Sequence, residues 1–240
     1  MLLEHLTSSI IGNTRPNNED SALAFPEEHF FVIADGIGGL NGGEIAASEA
    51  TDFFSQEIKQ ILLSQPSDMQ SWMHLIRNSI YKTNIHVYNL WQNNPHLQEM
   101  GTTLCGLIFF KDFALLLHIG DSRIYLYREK KLYQLTQDHT IIKKELVQGQ
   151  KFRYKNVITR AIGTNSLVEP EIRALQIKEN DAFMLCTDGL SHFVSLKEME
   201  EIFKKSLSLN YLTKNLLSTA QFNGSCDNIS LITVTIKNLS

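Results

Sequence analysis

The chain has 240 residues, 43% of them hydrophobic, and a formal charge of −4: enough apolar material for a sizeable core, and the wrong sign for a protein that grips nucleic acid by its phosphates. A single domain of about 200–250 residues accommodates this length, so 1–240 is read as one domain. Cys105, Cys186 and Cys226 stand in apolar segments without a C-x-x-C pair, which favours buried free thiols in a reducing compartment over a disulfide framework.

The N-terminal Met-Leu-Leu-Glu-His-Leu-Thr has neither the basic region nor the long apolar run of a signal peptide. No stretch reaches the roughly 18 apolar residues of a membrane span, so the expectation is a cytoplasmic protein without membrane insertion. Residues 4–12 read as a first strand, and 12–20, Gly-Asn-Thr-Arg-Pro-Asn-Asn-Glu-Asp, as a loop of turn formers. Two strands, 21–25 and 29–34, follow across a Pro-Glu-Glu turn. Apolar residues at Ile45, Ala46, Ala50, Phe53, Phe54, Ile58, Ile61 and Leu62 have helical spacing over 44–63. Pro66-Ser67-Asp68 breaks that helix and caps a second, which runs to about Trp91.

From Gly101 the period changes. Strands are expected over 102–110, 113–120, 123–127 and 132–135, with Lys111-Asp112 and Glu129-Lys130-Lys131 at hairpin tips. A short helix is expected within 137–147 and an exposed loop over 148–156. Strands resume at 171–177 and 182–186, helices follow at 196–206 and 209–221, and 229–237 is a last strand. Strand groups alternate with helix pairs rather than in a βαβ rhythm, which suggests antiparallel sheets with helices packed outside.

One stretch organises the rest. The apolar run 29–34 ends in Asp35, after which Gly36, Gly38, Gly39, Gly42 and Gly43 crowd together. Glycine permits a sharp turn and the close approach of another group to the backbone. Two phosphate-loop patterns fail here: G-x-G-x-x-G from Gly36 meets Asn41 where a glycine is required, and the P-loop from Gly38 has Glu44 in place of its lysine. An acidic loop repels phosphates unless a cation intervenes. The same grammar, an apolar strand running into aspartate and a turn residue, recurs at Asp35-Gly36, Asp121-Ser122 and Asp188-Gly189; Asp227-Asn228 leads into a strand, and Glu19-Asp20 enters the second one. Each alone is ordinary turn chemistry. Gathered together, such carboxylates repel one another unless a cation or protons relieve them, and hard oxygen donors suit Mg²⁺ or Mn²⁺ better than Zn²⁺.

In order along the chain stand Arg15-x-x-Asn18-Glu19-Asp20, Asp35-Gly36-x-Gly38-Gly39, Gly101-Thr102-Thr103, Gly120-Asp121-Ser122-Arg123, Leu135-Thr136-x-Asp138-His139, Thr159-Arg160-x-x-Gly163, Thr187-Asp188-Gly189-Leu190 and Asp227-Asn228. This series resembles the metal-dependent serine/threonine protein phosphatases (PPM, type 2C), most of all their compact bacterial members. The resemblance spans nearly the whole chain. It implies an α+β fold, a four-layer αββα sandwich of two antiparallel sheets flanked by helix pairs. It also implies that Asp35 bridges two Mn²⁺ or Mg²⁺ ions with the Gly36 carbonyl as a further ligand. Asp188 and Asp227 would hold one ion, Glu19 and Asp20 the other, directly or through its waters. A third, weaker site would form at Asp121 and Asp188. Arg15 would clamp the substrate phosphate, Asn228 would orient ligands, and Thr102, Thr103, Asp138, His139 and Arg160 would support the site.

The mechanism so implied is direct attack by a water activated between two ions, with Arg15 and the metals stabilising charge on the phosphoryl oxygens. The expected substrates are phosphoserine and phosphothreonine proteins made by a serine/threonine kinase, and the expected state is a monomer. The sequence departs from eukaryotic relatives at Ile37, where they carry a proposed general-acid histidine. The flap segment 141–157 is short and basic, with Lys143, Lys144, Lys151, Arg153 and Lys155. Two other functions share these motifs: a catalytically weak or inactive module that keeps the fold for binding, and a hydrolase of small phosphomonoesters.

Overall fold

The computed structural model describes residues 1–12, 14–37, 42–94, 96–97, 100–147 and 151–239. In chain order the elements are β1 (Leu2–Ile10), β2 (Asp20–Phe25), β3 (Phe30–Ile37), α1 (Gly43–Ser64), α2 (Met69–Gln92), β4 (Gly101–Thr102), β5 (Leu104–Phe109), β6 (Phe113–Ile119), β7 (Arg123–Arg128) and β8 (Lys131–Gln134). There follow β9 (Thr140–Val147), β10 (Lys151–Ile158), β11 (Glu171–Gln176), β12 (Ala182–Cys186), α3 (Asp188–Ser191), α4 (Leu196–Lys205), α5 (Leu209–Phe222) and β13 (Ile229–Asn238).

Two antiparallel sheets form the centre. One has the order β1-β13-β12-β7-β8, the other β11-β6-β5-β3-β2, with β4 joined to the end of β3. Alternation along the strands shows why the fold has four layers. On β3, Phe31 and Ile33 face the other sheet with Cys105, Leu107, Phe183, Leu185, Ile232 and Val234. Phe30, Val32 and Ala34 point the opposite way, into α1 and α2, against Ala46, Ala50, Phe54, Ile58, Ile76 and Ile80. Met184, Cys186 and Leu231 turn outward from the first sheet to meet Met199, Phe203, Leu212 and Leu216 of α4 and α5. Central strands are therefore buried on both faces and read as unbroken apolar runs, the pattern that made them legible. Burying one such large side chain contributes roughly 1.5–3 kcal/mol.

Helix ends follow their sequence signals. Asp68 accepts from the Ser71 amide at 2.9 Å to start α2, and Ser195 with Glu198 forms a reciprocal capping box on α4. α1 is different: its cap is Gly42, without a side-chain cap, which leaves the amides of its first turn open to an acidic neighbour. No helix among the described residues is long and apolar enough to cross a membrane.

Four expectations need correction. The segment expected to hold a short helix within 137–147, and the loop expected after it, form instead the two-stranded hairpin β9–β10, with Ile158 opposite Thr140; residues 148–150 lie outside the described residues. Ile141 and Ile142 are exposed in this hairpin, so it imposes no alternation on the sequence. The expected strand 102–110 is broken at Thr103, which leaves the ladder to bond with Asp35. The single turn α3 is too short to show a period. Cys226 is exposed in the turn before β13, whereas Cys105 and Cys186 are buried free thiols as expected.

Candidate metal centre

Asp20 and Asp35 are direct partners across β2 and β3, so both side chains emerge on the same face of the second sheet. The backbone under Asp35 is held from Thr103: its hydroxyl accepts from the Asp35 amide at 2.9 Å, and its own amide donates to the Asp35 carbonyl at 2.9 Å. Thr102 adds a hydroxyl to that carbonyl at 2.8 Å. Asp20 is fixed from the first sheet, where Thr187 at the exit of β12 donates its hydroxyl to the carboxylate at 2.9 Å. Asp188 then opens α3, and Asp227 stands before β13.

The loop 12–20 is tied to the entry of β13. Asn228 accepts from the Glu19 amide at 2.9 Å through its side-chain oxygen and donates to the Asn17 carbonyl at 3.0 Å. A side chain at Gly12 would come within 2.0 Å of the Asp227 carbonyl, and one at Gly189 within 1.9 Å of the Asn228 carbonyl; both glycines are there for close backbone approach. Arg15 donates to Asp227 at 2.7 Å and remains 44% exposed. Residues distant in sequence thus converge where the ends of the two sheets meet.

Two observations test whether this site suits cations. Beside Gly43, the point where a Cβ would stand lies 2.8 Å from Glu19 Oε2 and 3.2 Å from the Gly36 carbonyl oxygen, so a carboxylate and a carbonyl are aimed at one small space. Next in sequence, Glu44 buries its Oε2 without a hydrogen-bond partner among the described residues, and its charge adds to the burial that pushes the Glu19 carboxyl up. A backbone carbonyl and carboxylates converging in this way are a hard-oxygen donor set. The donor chemistry fits Mn²⁺ or Mg²⁺.

The electrostatics agree. Burial, with the charges of Asp188 and Asp227, pushes Asp20 up to about 7 despite hydrogen bonds from Ser230 and Thr187. Burial and the neighbouring Asp20, Asp188, Asp121 and Asp227 hold the Asp35 carboxyl well above the usual carboxylate range. Burial works against Asp188 as well, yet hydrogen bonds from His192 and Asp35 keep it below its ordinary value. Without a cation, these neighbouring carboxylates repel one another and favour protonation of Asp20 and Asp35 over ionisation of all of them. A dication would displace those protons and relieve the repulsion.

Asp121, in the turn after β6, is 4% exposed. Burial, then the charge of Asp188, pushes it up to about 6. Its carboxylate, that of Asp188 and a ring nitrogen of His192 lie within 4.8 Å of one another. The remaining expected residues support the frame: Asp138 accepts two hydrogen bonds from Arg123 at 2.8 and 2.7 Å, His139 Nδ1 accepts from the Gly120 amide at 3.1 Å, and Arg160 stands 3.5 Å from His139 Nε2. Ile37 pairs with Gly101 at the end of β3; Gly38 and Gly39 lie outside the described residues. Sequence reasoning missed Glu44, noted only as the glutamate that stands where a P-loop needs lysine, and His192, although the Asp188-x-x-x-His192 spacing is that of one helical face.

The sequence profile described as protein phosphatase 2C matches residues 11–220. The serine/threonine phosphatase Stp of Listeria welshimeri is 30% identical over 234 residues, covering 93% of this chain and 92% of that protein. Among solved structures, the Mycobacterium tuberculosis serine/threonine phosphatase PstP superposes with a TM-score of 0.84 at 27% identity, over 99% of this chain and 100% of that one. The catalytic domain of PstP in complex with two manganese ions superposes with a TM-score of 0.78 at 25% identity, over 98% and 99% of the two chains. With its acidic strand ends, its αββα architecture and these likenesses, the chain belongs to the protein phosphatase 2C family of metal-dependent phosphoprotein phosphatases.

Proposed function

We propose that residues 1–240 act as one catalytic domain that removes phosphate from phosphoserine and phosphothreonine in proteins, using two Mn²⁺ or Mg²⁺ ions. Asp35 would serve both ions, Asp188 and Asp227 would hold one, Glu19 and Asp20 would hold the other, and the Gly36 carbonyl would supply a further oxygen. Asp121 and Asp188 form a third, weaker site. The observation that carries this reading is the Asp20–Asp35 cross-strand pair, two carboxylates on one face of the sheet, with Asp121, Asp188 and Asp227 close enough to act on Asp35. The ions would supply a nucleophile from water at neutral pH and neutralise phosphoryl charge.

The residues of the chain do the rest. Asn228 and Thr187 fix the acidic loop and Asp20, so the donors need little rearrangement. Arg15 gives one nitrogen to Asp227 and keeps a side chain 44% exposed, a forked donor suited to two phosphate oxygens. Exposure of Arg15 and Asp227 opens the site outward, which suits a phosphorylated side chain on a protein surface. We infer that the enzyme is a cytoplasmic monomer that reverses a serine/threonine kinase. Rates on a phosphothreonine peptide and on p-nitrophenyl phosphate or free sugar phosphates, with Mn²⁺ present, test the substrate class. The reading predicts a higher kcat/KM for the peptide; a preference for the small esters would replace it with a phosphomonoesterase.

A further inference from the structure

Two groups of metal-type donors among the described residues contain histidine, and their hydrogen bonds separate them. In the first, His118, His139 and Glu171, the Nδ1 of His139 accepts from the Gly120 amide. The ring proton is then on Nε2, and Arg160 stands beside that nitrogen, so His139 offers a cation no lone pair. In the second group, Asp121, Asp188 and His192, the ring faces an acceptor instead, the Asp188 carboxylate 3.4 Å from Nδ1, and a dication can take the place of the proton between them.

We propose that His192 is a ligand of the third cation site, alongside Asp121 and Asp188, and that its imidazole makes this site favour a first-row transition dication over Mg²⁺. This rests on the third-site reading given above and adds a nitrogen donor to it. α3 begins at Asp188, and one helical turn brings His192 back over the same face, with Nδ1 3.4 Å from Asp188 Oδ2. Asp121 arrives from the turn after β6, buried and without an ion pair to lysine or arginine among the described residues. Arg123, whose charge reaches His192, is engaged by both oxygens of Asp138, and Arg15, whose charge reaches Asp188, is paired with Asp227.

The spacing suits a metal. An octahedral cation with bonds of about 2.1 Å sets neighbouring donors about 3 Å apart and opposite donors about 4.2 Å apart, inside the 4.8 Å that encloses these three. His192 is 31% exposed in its side chain, so water can reach the remaining positions. Mg²⁺ prefers oxygen and keeps its waters, whereas imidazole favours transition metals. The core donors proposed above are all oxygen. A nitrogen bound to a cation in this protein therefore identifies the third site.

Mn²⁺ binding followed by electron paramagnetic resonance, with pulsed detection of ¹⁴N coupling, tests this on the full chain. The proposal predicts a third bound Mn²⁺ that carries ¹⁴N coupling. The coupling disappears in His192→Ala and His192→Gln, and Mg²⁺ displaces the third ion at concentrations roughly 10–100-fold lower in these variants. Asp121→Asn should lose the third ion and keep two. Three bound ions without ¹⁴N coupling, or coupling that survives both His192 variants, would overturn the role of His192 and leave the third site standing. Saturation at two ions in the unaltered protein would overturn the third site and, with it, this inference.

Discussion

Replacing Asp20 by Asn removes one charge from the acidic cluster and keeps the acceptor that Thr187 uses at 2.9 Å. In the metal-free protein, Asp20 rises from its ordinary 3.8 to about 7. A carboxyl whose pKa is raised by folding stabilises the folded state below the unfolded value, and that contribution is lost as pH climbs to the folded value. At about 1.4 kcal/mol per pH unit, the ionised side chain costs the metal-free fold roughly 4 kcal/mol at pH 8. Asp20→Asn should therefore be more stable than the unaltered protein in chelator at pH 8, by roughly 2–4 kcal/mol, and the gain should vanish near pH 4. With Mn²⁺ the order reverses in part, because the unaltered protein gains about 2.7 kcal/mol at a hundredfold excess over Kd and the variant gains less. Urea unfolding in chelator and in Mn²⁺ across pH 4–8 measures all of this. A metal-free Asp20→Asn that is less stable at pH 8, or a difference that does not change with pH, would refute the reading of the cluster as repulsion held in check.

Three further outcomes follow from particular contacts. His118 is buried, and burial together with His139 pushes it down to about 3; its contribution is complete above pH 6.5 and lost as pH falls, by about 2 kcal/mol at pH 5. His118→Gln should flatten the acid side of the stability profile between pH 6.5 and 4.5 in urea unfolding. Gly36→Ala would set a methyl 2.2 Å from the Gly43 carbonyl and 2.6 Å from the Glu19 carbonyl. Both are backbone atoms, so a loss of roughly 2–4 kcal/mol in melting and weaker Mn²⁺ binding are expected. Arg15→Ala should lower kcat/KM on a phosphothreonine peptide about 100- to 1000-fold with the two core ions still bound, and Arg15→Lys should recover only part of it.

Much of the fold was legible because its central strands are buried on both faces: 30–34, 104–109 and 182–186 are apolar runs of strand length, and the helices on either side carry a 3.6-residue stripe. The hairpin β9–β10 was not, because a strand pair that exposes Ile141 and Ile142 leaves no burial pattern to read. The candidate centre was legible as carboxylates repeated at strand ends. Its clamps were not. The bonds from Thr103 to Asp35, Thr187 to Asp20 and Asn228 to Glu19 join segments that meet only once both sheets have formed. Glu44 and His192 were missed for a related reason: one carries no motif of its own, and the other sits in a helix of a single turn.

The most direct test is phosphate release from a phosphothreonine peptide with Mn²⁺, with Mg²⁺ and with chelator, beside Asp35→Asn. The account predicts turnover that requires a divalent cation and falls by at least about 100-fold in the variant, since Asp35 is the one side chain proposed to touch both ions. Turnover that persists in chelator, or a folded Asp35→Asn as active as the unaltered protein, would contradict it.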